Sequence, residues 1–253
     1  MCAVGRIRPR VPTLGLEKEI AQATGRKPTS TKSDEEALCA VLTAPENDYL
    51  AREVCWVFSV QGVDAFIVKA ADATTLKWVL STLRPDKGPS DLDVVIGRMA
   101  GRASMVECNG LMLPTVVPAQ IYSFDRASFA RSIQRPKDID EKSFDSAVKQ
   151  TFDVIAQLNG NYGLTEAHRA LNYLVIRDPH LYEVVARQLA DGAPLTAIAS
   201  RPSALSGGRR VIEVILHFKT RASDQTRSYF ARVDVTDLFP FLVSPIAPYI
   251  AMN

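Results

Sequence analysis

RRVIEVILHFKTRASDQTRSYFARVDVTDLF, residues 209–239, decides the fold. In its first half Ile212, Val214, Leu216 and Phe218 share one face, while Val211, Glu213, Ile215, His217 and Lys219 share the other. In its second half Tyr229, Ala231, Val233 and Val235 oppose Ser228, Phe230, Arg232 and Asp234. A period of two, built from β-branched and aromatic residues, predicts two strands with one well-buried face. The polar link Arg221–Thr226 suits a hairpin tip, so the pair is expected to fold back on itself.

Working outward toward the N-terminus, the pattern changes to helices between about Lys142 and Leu189. Phe144, Val148, Phe152 and Ile155 line one face, and Asn159 to Gly163 breaks the run. Thr165 caps a second helix, and Asp178-Pro179 restarts a third, with an N-cap followed by proline at the first helical position. Further back, Val54 to Val60 and Val63 to Val68 read as a hairpin about Gln61-Gly62. Asp72 caps a helix carrying Leu76, Val79, Leu80 and Leu83, and Leu92 to Ile96 reads as a strand. Leu111 to Val117 holds Pro114, which argues for an edge strand or a buried extended segment rather than a central strand. Ser33 and Glu36 form a capping box, and Thr13 caps a short helix. Residues 1–12 read as an extended arm, and residues 238–253, with Pro240, Pro245 and Pro248, as an extended tail packed on the surface or across a dimer partner.

Strands first, helices in the middle and strands last predict an α+β fold. Its sheet should be mainly antiparallel, with a helical layer on one face. The expected division is a basic arm with a short helix over residues 1–32, then a single α+β domain over residues 33–253. The arm holds seven Lys or Arg against Glu17 and Glu19, a net +5, so the remainder carries −3 of the total +2. So small a net charge gives no electrostatic case for nucleic acid. The sequence has no signal-peptide h-region and no apolar run of membrane-spanning length, so a soluble cytoplasmic protein is expected. None of the four cysteines lies in a C-x-x-C pair, which makes reduced thiols the expectation.

The candidate chemistry is sparse. Cys108 with His168 would make a nucleophile and its base, since an imidazole lowers a thiol pKa and accepts its proton. A buried structural thiol is the competing reading, and the stronger one. Cys55, Cys108, His168 and His180 are ligand types that zinc accepts, but none has ligand-like local spacing, so no metal is predicted and the sequence requires no cofactor. Arg169, Asn172, Tyr173 and Arg177 form a polar stripe on one helix, suited either to a peptide or to tying the helix to its neighbours. Ser206 to Arg210, with Arg209, resembles an anion cradle but leads into a strand, not a helix. His217, Lys219, Arg221, Arg227 and Arg232 would give the outer side of the hairpin a basic cast if one of its strands lies at a sheet edge.

Six stretches carry a family resemblance: Gly5–Arg26, Arg84–Gly101, Cys108–Asp125, Glu166–Tyr182, Arg201–Phe218 and Phe230–Tyr249. Together they resemble the PatG-like C-terminal domain of cyanobactin maturation proteins, a domain of unknown function. In those larger proteins the protease activity belongs to a separate subtilisin-like domain, and this sequence holds neither that domain nor its Ser/His/Asp triad. What the resemblance implies is a setting, the production of ribosomally made, post-translationally modified peptides. The expectation is therefore an accessory, non-catalytic protein that binds a precursor peptide or a biosynthetic enzyme by strand addition or in an apolar groove. A homodimer through the proline-rich tail is a further possibility. The alternative is an enzyme acting on such a peptide through the Cys/His pair or a Cys/His-bound metal.

Overall fold

The computed structural model describes residues 1–25, 33–84, 88, 91–133, 135–156, 158, 160–204, 207–220 and 226–249. They divide into two compact units, Val4–Arg126 and Ala127–Asn253, with Met1–Ala3 belonging to the latter. The expected division after residue 32 does not coincide with this one. The linker over residues 26–32 and most of the hairpin tip, including Arg221, lie outside the described residues.

The first unit is a closed five-stranded barrel. The basic arm is not an appendage: it is strand β1 (Cys2–Arg10), paired antiparallel with β2 (Cys55–Val60). Between them run α1 (Leu14–Ala23), α2 (Asp34–Thr43) and the short α3 (Asp48–Glu53). The caps fall where the residues place them. Thr13 accepts from the Leu16 amide, and Ser33 and Glu36 close their capping box. Strand β2 returns as β3 (Val63–Val68) through a turn with Gln61 at φ 54° and Gly62 at φ 80°, the double left-handed geometry of a two-residue hairpin. Helix α4 (Ala73–Leu80), capped by Asp72, leads to β4 (Asp91–Arg102) and β5 (Pro114–Asp125).

The barrel order is β1-β2-β3-β5-β4. Strand β5 pairs on both sides, parallel to β3 and antiparallel to β4, so the edge reading of this segment is corrected. Proline is tolerated at two places here. Pro114 opens the strand, and Pro118 sits at a register shift opposite Gly97, where a ladder bond is already interrupted.

The second unit begins with α5 (Arg126–Ser132) and contains α6 (Glu141–Ala156), α7 (Glu166–Arg177) and α8 (Pro179–Ala190). Phe129, Phe152 and Tyr182 meet edge-to-face or tilted, with centroids 5.6–6.3 Å apart. The buried Tyr182 hydroxyl donates to the Val175 carbonyl, and burial raises its pKa well above the usual value. The sheet follows: β6 (Leu195–Pro202), β7 (Val211–Lys219), β8 (Thr226–Asp234) and β9 (Phe241–Pro248), antiparallel and in that order. The predicted hairpin is β7–β8. Its face of Ile212, Val214, Leu216 and Phe218 is buried, and Val233, Ala231 and Tyr229 lie opposite in register.

Both strands of that hairpin are interior. The condition for a peptide to pair with either one therefore fails, and the sheet edges are β6 and β9. The whole is α+β with mostly antiparallel sheets. No described helix is long and apolar enough to cross a membrane.

Candidate functional site

Helix α7 turns its polar stripe to structural work. Arg169 is buried and donates to the Val235 carbonyl at 2.8 Å, to Leu238 at 3.2 Å, and to Asp237. It thereby pins the chain just after β8. Asn172 is buried, exchanges hydrogen bonds with Asn161 and donates to the Cys2 carbonyl. The Tyr173 hydroxyl accepts from the Leu242 amide of β9. Arg177 is exposed in the last turn. Arg169, Asn172 and Tyr173 thus tie α7 to its neighbours.

Arg209 and Arg210 do not stand open as an anion cradle. Arg209 pairs with the buried Asp234 and lies 5.3 Å over the Phe241 ring, and Arg210 pairs with Glu166 at 3.1 Å. Desolvation would raise the Asp234 pKa, but the hydrogen bonds and charge of Arg209 together with the hydrogen bonds of Thr236 prevail and hold it below the ordinary value. Ser206 lies outside the described residues.

Cys55 and Cys108 form a disulfide, packed against Val57, Ile67 and Ala103. The expectation of reduced thiols is corrected for these two. The bond joins β2 to the turn after β4, residues 53 apart, a proximity that local spacing cannot reveal. While it stands, neither sulfur offers a thiolate to a histidine or a metal. It lines a cavity of about 260 Å³ together with Lys69 and Glu107, which form an ion pair.

Cys2 and Cys39 are free and buried, and burial pushes the Cys2 thiol up to about 12, out of reach of thiolate chemistry. His168, in the first turn of α7, has a buried Nδ1 without a hydrogen-bond partner among the described residues, and burial lowers its pKa. His180 Nδ1 lies 3.1 Å from Asp178, the N-cap of α8. Among the described residues no group of three or more His, Cys, Asp and Glu side chains is placed to hold a metal ion.

What the structure does assemble lies on the outer face of the four-stranded sheet. Register aligns Arg201 of β6 with Glu213 of β7, and Glu213 with Arg232 of β8. Glu213 is buried and accepts from Arg201 Nε and Arg232 Nε, both at 3.0 Å, and from Ser203 Oγ at 3.2 Å. Desolvation would raise its pKa, but these three donors prevail and hold it below the ordinary value. Arg201 lies 5.4 Å over Tyr249, Arg232 lies 4.8 Å over Phe230, and those two rings meet edge-to-face. His217, on the same face, shares a hydrogen bond with Ser228 at 2.9 Å.

The two edges of this sheet differ. Strand β9 contains Pro245 and Pro248, which have no N–H, and its Leu242 amide is already held by Tyr173. Strand β6 reads Leu-Thr-Ala-Ile-Ala-Ser-Arg-Pro, with most residues exposed and proline only at its end. The Ser203 amide donates to the Val211 carbonyl. Alternation along an antiparallel ladder then directs Arg201 and Ala199 toward β7, and the amides and carbonyls of Ser200 and Ile198 to the open side. Reading the sequence missed this edge, because the small residues of β6 carry little strand signal.

The comparisons agree with the architecture. The PatG Domain profile matches residues 1–170 and the PatG C-terminal profile residues 138–249. A solved structure described as "PatG Domain of Unknown Function" superposes with a TM-score of 0.76 at 19% identity, covering 98% of this chain and 97% of that one. At that identity the likeness speaks for the fold. No curated protein sequence matches. Because one profile spans well over half of its residues, this chain belongs to the PatG Domain family.

Proposed function

We propose that the chain is an accessory peptide-binding protein, non-catalytic, in the biosynthesis of ribosomally made modified peptides. It takes an extended segment, such as that of a precursor peptide, as an added strand beside β6. The observation that carries this reading is the contrast between the two sheet edges. Proteins blunt the edges they do not use with prolines, charges and covers. Strand β9 has two prolines and a tyrosine hydroxyl on its backbone, whereas β6 leaves the Ile198 and Ser200 groups facing outward. Main-chain pairing supplies affinity without a deep pocket, which suits a partner that varies in side chains. The family resemblance supplies the setting.

The test is a fluorescence-anisotropy titration of labelled extended peptides, precursor sequences among them, into the full chain. Micromolar binding is expected. Ser200→Pro removes an outward amide at an edge position that tolerates proline, so it should abolish binding while leaving the circular dichroism spectrum unchanged. Peptides N-methylated at alternate amides should fail with the wild-type protein, whatever the variant does. Binding that survives both changes overturns the reading.

A further inference from the structure

The row Arg201–Glu213–Arg232 alternates in sign across three strands, and it ends on a cation at the open edge. Glu213 is enclosed between the two guanidiniums. Of these, the Arg201 side chain is 54% exposed and that of Arg232 26%, so the outermost member of the row is the accessible one. Arg201 pairs with β7 at a hydrogen-bonded site, as the Ser203 amide bond and the register establish. On its other side, a residue of an incoming antiparallel strand would therefore face it at a non-hydrogen-bonded site, where cross-strand side chains approach most closely. Opposite charges directly across such a pair stabilise, and like charges repel. The neighbouring positions of β6 on this face, Ala197 and Ala199, are small and uncharged and impose no competing preference.

We infer that the segment docking on β6 carries an acidic side chain opposite Arg201, which makes this edge selective for acidic extended peptides. The inference rests on the strand-addition reading above. It extends the alternation by one member: cation, anion, cation, and then the partner's carboxylate. Tyr249, stacked under Arg201, fixes the guanidinium in place, so little side-chain freedom is lost when the carboxylate arrives.

Three blocked Thr/Val peptides, identical except for a single central Glu, Gln or Lys, test it by anisotropy against the full chain at low salt. The Glu peptide should bind about three- to fivefold more tightly than the Gln peptide, the scale of a cross-strand charge pair. The Lys peptide should bind more weakly than either, and added salt should compress the spread. Arg201→Gln should remove the preference, and Arg201→Glu should turn it toward Lys. Equal binding of all three peptides, abolished alike by Ser200→Pro, overturns the acidic preference and leaves strand addition standing. Binding that Ser200→Pro does not touch, or no binding, overturns both. A dimer seen by light scattering that Ser200→Pro dissolves and peptide does not compete with identifies a second copy of this chain as the occupant, and overturns the peptide.

Discussion

Gly163 sits at φ 71°, and a Cβ added there would come 2.1 Å from the Cys2 carbonyl oxygen and 2.7 Å from Ala3 Cα. Both obstacles are backbone, and the Cys2 amide already donates to the Gly163 carbonyl. Gly163→Ala therefore strains the turn and displaces the N-terminal segment, at a cost of about 3 kcal/mol. Urea unfolding should show the corresponding fall in midpoint.

His168 offers a pH signature at the same scale. Its folded pKa is depressed by burial, so the native state holds the ring neutral. The stability tied to that neutral ring is fully present above the unfolded value near 6.5 and is lost as pH falls through the lower folded value. His168→Gln should flatten the decline in unfolding midpoint between neutral and mildly acidic pH, and an unchanged slope would dismiss this role. Glu213 acts lower on the scale. Its depressed pKa contributes stability above its ordinary 4.5 that disappears under stronger acid.

At the scale of elements, the disulfide ties β2 to the turn following β4 across 53 residues. Constraining an unfolded loop of that size stabilises by up to about 4 kcal/mol in the chain-entropy model. Both tryptophans, Trp56 and Trp78, lie in the barrel unit, so their fluorescence follows it alone. Reduction should lower the denaturation midpoint read by that fluorescence, and Cys55→Ala with Cys108→Ala should reproduce the shift without reductant.

The elements also show where the sequence was legible. The β7–β8 hairpin, the β2–β3 turn and the caps at Thr13, Ser33 and Asp72 were readable because alternation and capping are local signals. Strand β6 was not, since Thr-Ala-Ile-Ala-Ser carries neither β-branched density nor a buried face. Pro114 demoted β5 although a strand accepts proline at its first residue and at a bulge. The outward placement of Glu213 and Arg232 on one face followed from the period of two. Their partner Arg201, and the pairing of Cys55 with Cys108, depend on register and tertiary approach, which no spacing rule reaches.

At the scale of the whole molecule, Arg6, Arg8 and Arg10 prove to lie in a strand of the barrel, so the charge they carry is a property of a folded surface and not of a free tail. Arg6 illustrates the difference: its guanidinium donates to the carbonyls of Gly88 and Asp91. High salt should consequently leave the barrel folded, with its tryptophan emission unchanged, whereas it should weaken the acidic-peptide preference at β6.

The inequality of the two sheet edges has a further consequence, for stoichiometry. Repeating head-to-tail assembly through the sheet would require β6 of one molecule to dock on β9 of the next, and the prolines of β9 deny that ladder its amides. Growth along the sheet thus has a terminus on one side. The chain should saturate at one peptide per molecule by calorimetry and form no fibres at concentrations where peptide binds fully, a capped end and a receptive end on the same sheet.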